Sequence, residues 1–351
     1  MNLKKLKSNF YAVASKVSGE IYCVVKSEAY GCGLKRTSAV LARCGANGFV
    51  VAEVAEGEAI RREGINLPVL VLGYTPPSLM GKVLRFGLTQ SVFDEKYLSD
   101  LAQYLQKKTT VNKLKIWLKV NCGFNRVGFC KKNWQKALDF CQSHHSLFEV
   151  EGIFAHFRDF CDGVKNRLYV EKFEDFCRQA QARPFFDGVK ISLCNSAGLA
   201  QGLPVFDVAR IGASLYGIGG EAEGGVVAEY FGRVLQVNRL KKGQSVGYDD
   251  SFVAQKECLV GVLDVGYADG LPRCAQEMGM VAYVEGELCP FVGSVCMNHS
   301  FVLLKSAVKP YCLAEIFGNH VTAKSLAERL NSVDYEVLCR FGKNAKKIYC
   351  Q

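Results

Sequence analysis

The sequence predicts an α/β fold: an N-terminal (β/α)8 barrel of the TIM type, followed by a smaller C-terminal domain that is mostly β. Three observations carry this. Eight short apolar runs recur at fairly even intervals between residues 20 and 215. Most are separated by stretches whose apolar residues fall three or four apart. After about residue 225 the rhythm changes to β-rich segments joined by Gly-containing turns. The chain has 351 residues, of which 49% are hydrophobic and 22% charged. That is long enough for a barrel, which needs about 200 residues, and a second domain. The expected boundaries are 1–222 and 223–351.

In chain order, "LKKLKSNFYAVASKV" forms a helix ahead of the first strand, Ile21–Val25. Further strands are expected at Gly48–Ala52, Val69–Gly73, Leu88–Val92, Leu114–Val120, Val150–His156, Val189–Cys194 and Val208–Ile211. "VAEGEAIRREG", "NWQKALDFCQSHH" and "VEKFEDFCRQAQA" are amphipathic helices between them. In the second half "AEYFGRVLQVNRL", "QSVGYDDSF", "CLVGVLDVGYADG", "GMVAYVEGELCPFVG" and "HSFVLLK" read as β segments, and one late helix is expected at "TAKSLAERLN".

Composition excludes several classes. No run approaches the roughly 20 apolar residues of a membrane helix. The basic start "MNLKKLKSNFYAVASK" is not followed by an apolar signal core, so a cytoplasmic protein is expected. The net charge of +10 is diffuse, and "LKK" and "KNAKK" lack interleaved aromatics, so neither nucleic acid nor membrane is an expected partner. The sixteen cysteines contain no C-x-x-C, and the closest pair, Cys289 and Cys296, is seven apart. No metal site follows. Most, such as Cys23, Cys194, Cys258 and Cys312, sit in apolar runs and read as free thiols acting as small hydrophobes.

The chemistry gathers at the strand ends. In this fold catalytic groups stand at the C-terminal ends of strands, and Lys26 ends the first. There a lysine serves as an imine-forming nucleophile, helped by partial burial. Taken alone, the position favours the plainer reading of a lysine snorkelling out of a strand. Strand five, "KIWLKVNCGFNRVGF", ends with Lys119 and runs on to Arg126; "GIFAHF" places His156 at the tip of strand six. Strand seven runs into "CNSAG", with Asn195 and Ser196, and "VARIGASLYG" carries Arg210 and Gly212. Loops after strands seven and eight are the usual phosphate cradle. Each residue alone is more often structural: His156 a core histidine, Arg126 a loop anchor. Their convergence on one rim changes that. An imine lysine facing an anion site suggests pyridoxal phosphate.

These motifs resemble those of the alanine racemase family along nearly the whole chain. "VVKSEAYGCG" is similar to the family's coenzyme-lysine motif, with Lys26 as the imine lysine and Tyr30 holding the phosphate. By the same resemblance Arg126 contacts the coenzyme's phenolic oxygen and the substrate carboxylate. Lys119 matches a lysine that is carbamylated in some members and braces that arginine. His156 lies near the coenzyme ring, Arg210 faces its nitrogen, and Asn195, Ser196, Gly212, Ala213 and Tyr335 belong to the cofactor site. In the second domain the resemblance makes Tyr248 the second base, places Tyr267 at the entrance, and sets Met297 and the adjacent Asn298 against the substrate. It implies racemisation of L- and D-alanine by two bases, Lys26 and the partner subunit's Tyr248, in a homodimer with shared active sites that supplies D-alanine for peptidoglycan.

The chain departs from the family at three points. The family's usual N-terminal strand is missing from the sequence, Asn298 stands in place of an aspartate, and Ser294 in place of an arginine. A racemase for another amino acid such as serine, a PLP-carrying protein without turnover, and a PLP decarboxylase stay open as alternatives. The "VGYDDSF" segment favours catalysis, and "GSVCMNH" favours the racemase pattern over the decarboxylase one.

Overall fold

A computed structural model describes residues 1–108, 112–158, 163–218 and 224–351. Its contacts divide the chain into two units, one comprising Lys7–Ala29 and Leu34–Glu223, the other Met1–Leu6, Tyr30–Gly33 and Gly224–Gln351. The expected boundary at 222/223 lies outside the described residues.

The first unit is built on eight parallel strands: β1 (Glu20–Val24), β2 (Gly48–Val51), β3 (Val69–Val71), β4 (Thr89–Val92), β5 (Leu114–Lys119), β6 (Phe148–Phe154), β7 (Lys190–Ser192) and β8 (Val208–Ile211). Each falls on an expected apolar run, and the order β7-β6-β5-β4-β3-β2-β1-β8 is that of a barrel. Between β7 and β8 the join is a parallel bridge of Asn195 with Arg210, plus the bond from Arg210 N–H to the Cys194 carbonyl at 2.9 Å. Helices at Leu3–Ala14, Val54–Arg62, Trp134–Ser143 and Gly163–Gln181 match those expected.

Large rings fill the barrel. Trp117 packs on Tyr22 at 5.7 Å and on Phe154 at 6.1 Å. Gly152 makes room for it, since a Cβ there would lie 2.3 Å from the indole. Below the rings, Glu20 pairs with Lys190 at 2.7 Å, and Glu151 takes Lys115 at 2.5 Å and the Thr89 hydroxyl at 2.7 Å. Charges at this end are thus paired, on side chains that stay partly open to solvent.

The second unit holds an antiparallel sheet in the order β14-β13-β16-β9-β12-β15. Its strands are β9 (Tyr230–Leu240), β12 (Cys258–Leu263), β13 (Val281–Val284), β14 (Glu287–Pro290), β15 (Ser300–Leu304) and β16 (Leu313–Phe317). A separate hairpin pairs β10 (Ser245–Val246) with β11 (Phe252–Val253). Two late helices are present, Ala323–Arg329 as expected and Asp334–Gly342 in addition. The latter is fixed by Val337, Leu338 and Phe341 at helical spacing, all buried. The N-terminus is not wholly without sheet contact. Asn2 bridges Cys350 in parallel, and Leu3 N–H donates to the Cys350 carbonyl at 2.8 Å. The helix beginning at Leu3 limits this pairing to one bridge.

Every described cysteine is free; Cys23 and Cys194 are buried as expected, whereas Cys258 and Cys312 are only half-buried. No metal-binding cluster occurs among the described residues, and no described helix is long and apolar enough to cross a membrane.

Candidate active site

β1 ends at Val24, and Lys26 follows half-buried at its C-terminal end. The backbone then does something rare for L-residues. Ser27, Glu28, Ala29 and Tyr30 all take positive φ, between 54° and 56°, and Gly31 continues at 80°. Such conformations cost about 1–2 kcal/mol per residue and normally occur singly. Flanking bonds hold the run in place. The Glu28 carboxylate accepts from Leu34 N–H at 3.2 Å, and Glu28 N–H donates to Glu56 at 3.3 Å. Strain of this kind clusters at functional sites in proteins generally, and here it lies directly after the candidate lysine.

The structure gathers four cations and an imidazole at the barrel's C-terminal rim. Burial, then Arg126, Arg210 and Lys26, pull the Lys119 amine down to about 8. His156 is driven down to about 3, first by burial and then by Arg210, Arg126, Lys119 and Lys26. The imidazole is therefore neutral at pH 7. Lys119 has an appreciable uncharged fraction there, unlike an ordinary lysine near 10.4.

Arg210 is buried and pulled down to about 10 by burial, which leaves it protonated at neutral pH. Its guanidinium donates to the Ser192 carbonyl at 2.9 Å, to the Ser192 hydroxyl, and to the Ala155 carbonyl at 2.5 Å. The strand ends of β6 and β7 thereby lock it in place. The Tyr169 hydroxyl donates to the His156 carbonyl at 2.6 Å.

The candidate anion cradle lies two residues beyond Arg210. Gly212 N–H and Ser214 N–H converge on the Ser196 hydroxyl at 3.2 and 3.3 Å. Asn195 caps the short helix Ser196–Ala200, accepting from Gly198 N–H at 2.9 Å, and donates to the Phe157 carbonyl at 3.2 Å. Ala213 opens the tight turn that aims these amides. The sequence named Gly212, Ala213 and Ser196; the Ser214 amide, Ser192 and Tyr169 were missed. Backbone donors leave no side-chain signature, and Tyr169 lies on a helix well away from any motif.

The remaining candidates belong to the second unit and form two groups. Tyr30 lies near Tyr335; burial, then Cys339 and Tyr335, push the Tyr30 phenol up to about 12. Here the chain touches the helix Asp334–Gly342 at Gly31. A Cβ on Gly31 would stand 2.5 Å from the Leu338 carbonyl oxygen, and one on Gly342 would stand 2.5 Å from that of Gly31.

The other group lies along one edge. Tyr248 sits in the turn Tyr248–Asp250 between β10 and β11. That hairpin meets the Ser294 turn, where Ser294 N–H donates to the Ser251 hydroxyl at 2.7 Å. The same segment runs on to Met297 and the exposed Asn298. Tyr267 N–H donates to the Cys296 carbonyl and Ala268 N–H to that of Met297, each at 3.0 Å. Tyr248, Met297 and Tyr267 are 62%, 57% and 45% exposed, three large side chains open to solvent on this chain.

Comparison with known proteins identifies the family. The description "Alanine racemase, N-terminal domain" matches residues 1–219, and "Alanine racemase, C-terminal domain" matches residues 227–349. Curated relatives include the alanine racemase of Ligilactobacillus salivarius, 29% identical over 99% of this chain and 96% of that protein. That of Clostridium novyi is 30% identical over 99% of this chain and 94% of its own length. Among solved structures, alanine racemase from E. faecalis is 26% identical with a TM-score of 0.86, covering 100% of this chain and 97% of that one. The Bartonella henselae enzyme with covalently bound pyridoxal phosphate is 25% identical with a TM-score of 0.86, covering 100% and 98%. With both halves matched in order along nearly its full length, the chain belongs to the alanine racemase family.

Proposed function

We propose that this protein is a pyridoxal-phosphate-dependent alanine racemase that uses two bases, Lys26 and the partner subunit's Tyr248. The observation that carries the reading is the rim of the barrel, where Lys26, Lys119, Arg126 and Arg210 crowd around a neutral His156. So much positive charge calls for anionic occupants. A phosphate suits the amides of Gly212 and Ser214 with Ser196, and a substrate carboxylate suits Arg126. The covalently bound coenzyme of the Bartonella henselae structure supports Lys26 as its anchor.

When bound, the coenzyme supplies the electron sink that makes the α-proton of an amino acid removable. The protein's residues do the rest. Lys26 takes or returns the proton at Cα on one face, and the partner subunit's Tyr248 serves the other. A single base would return the proton to the face it left. Arg210 stays protonated at neutral pH and is too weak an acid to pass a proton to the ring nitrogen, which would limit side reactions. Arg126 orients the carboxylate, and Tyr30 and Tyr335 offer hydroxyls to the phosphate.

The exposed side chains of Tyr248, Tyr267 and Met297 support a homodimer in which this edge covers the partner's barrel. The D-alanine formed would serve peptidoglycan synthesis in the cytoplasm. The test is racemisation of L-alanine by purified protein, with and without added pyridoxal phosphate, beside a panel that includes L-serine. Activity on serine but not alanine would overturn the substrate assignment. Mixing inactive Lys26→Ala and Tyr248→Phe variants should restore about a quarter of wild-type activity, because half the dimers are mixed and each has one intact site. No recovery on mixing would overturn the shared site.

A further inference from the structure

Between Lys119 and Phe129 the chain makes a closed excursion from the end of β5. Its base is stapled by Phe129 N–H to the Lys119 carbonyl at 2.8 Å and Asn121 N–H to the Phe129 carbonyl at 3.0 Å. Within it the Asn121 side-chain oxygen accepts from Gly123 N–H at 3.1 Å and from Asn125 N–H at 3.0 Å. Asn125 takes φ 58°, a value asparagine tolerates better than most residues. The loop thus has a set shape, and its two large side chains meet. The Arg126 guanidinium carbon stands 4.5 Å from the centroid of the Phe124 ring. The same ring meets His156 at 5.1 Å in a T-shaped arrangement, with the planes 74° apart.

Arg126 needs a partner. One cation lies close by, the Lys119 amine, which Arg126 helps to pull down. Repulsion from Lys119 alone would leave a long, exposed side chain with many rotamers. Among the described residues, the partner the structure gives Arg126 is the face of Phe124. A guanidinium over an aromatic face is attracted by the ring quadrupole, more strongly as water is excluded.

We propose that Phe124 is a positioning residue for the substrate. One side of its ring holds Arg126 where a carboxylate binds, and the ring also braces His156, so a single side chain sets both walls. This rests on the reading of Arg126 as the carboxylate-binding group.

The test uses holoenzyme and steady-state kinetics in both directions. Phe124→Leu keeps apolar bulk and removes the π face. It should raise KM for both enantiomers roughly 3- to 30-fold, with kcat changed by less than about 2-fold. Coenzyme absorbance should persist. Phe124→Tyr keeps the face and should retain a KM close to that of the starting protein. Arg126→Lys should also raise KM, and adding Phe124→Leu to it should have little further effect, because the two act as one unit. If Phe124→Leu does not fold, Phe124→Met is read the same way. Unchanged KM in Phe124→Leu alongside a raised KM in Arg126→Lys overturns the proposal alone. So does a Phe124→Tyr variant as impaired as Phe124→Leu. Unchanged KM in Arg126→Lys overturns the carboxylate reading and the proposal with it.

Discussion

His156 makes the coenzyme-free protein sensitive to acid by a calculable amount. In the folded chain its imidazole is held down to about 3, by burial and then by four cations, whereas the unfolded value is 6.5. The sign follows from which state binds the proton. Between pH 6.5 and 3 the unfolded chain protonates here and the folded chain does not, so stability rises with pH through this window and is lost as pH falls. At pH 5 the unfolded imidazole gains 1.36 × log(1 + 10^1.5), or about 2 kcal/mol. Any folded value below about 4 gives nearly the same result, so the figure rests on the unfolded reference. Urea unfolding at pH 7.5 and pH 5 should be measured on the starting protein and on His156→Asn, which cannot titrate. Other groups cancel in the double difference. The starting protein should lose about 2 kcal/mol more than the variant over this interval. Equal losses would refute the reasoning, because they would mean that the imidazole protonates freely in the folded rim.

The left-handed run offers two substitutions of opposite sign. Ser27→Gly relieves about 1–2 kcal/mol of strain at a cost of about 0.5–1 kcal/mol in the unfolded chain, and urea midpoints should show a gain of up to about 1.5 kcal/mol. Gly31→Ala, with φ 80° and a Cβ 2.5 Å from the Leu338 carbonyl, should lose more than about 2 kcal/mol by the same measurement. Tyr169→Phe removes the bond to the His156 carbonyl and should cost about 1 kcal/mol in stability, read by thermal unfolding. Gly152→Ala drives a methyl into Trp117 and should destabilise the barrel by about 1–3 kcal/mol, with an altered tryptophan emission spectrum as a second readout.

The barrel was legible because its strands are buried on both faces and so read as unbroken apolar runs. Lys26, Lys119, His156 and Arg210 were legible because charged or titratable groups at such ends contradict their surroundings. β16 was not, because its "LAEIF" carries Glu315, a buried carboxylate satisfied by the amides of His320 and Val321 and by the His320 ring. A charge inside a five-residue run hides the strand. The helix Asp334–Gly342 is only nine residues long, too short for its periodicity to stand out in the sequence. The left-handed run left no trace, since Ser, Glu, Ala and Tyr carry no preference for it. Only tertiary bonds impose it.

Gly31 and Gly342 touch backbone to backbone, and this has a consequence for inheritance. Neither position can acquire a side chain, and no change at its opposite number could compensate, because nothing smaller than a hydrogen exists to make room. The pair is a dead end for genetic drift. Copies of this sequence that diverge elsewhere should keep both, and with them the spacing that joins the Tyr30 turn to the helix bearing Tyr335.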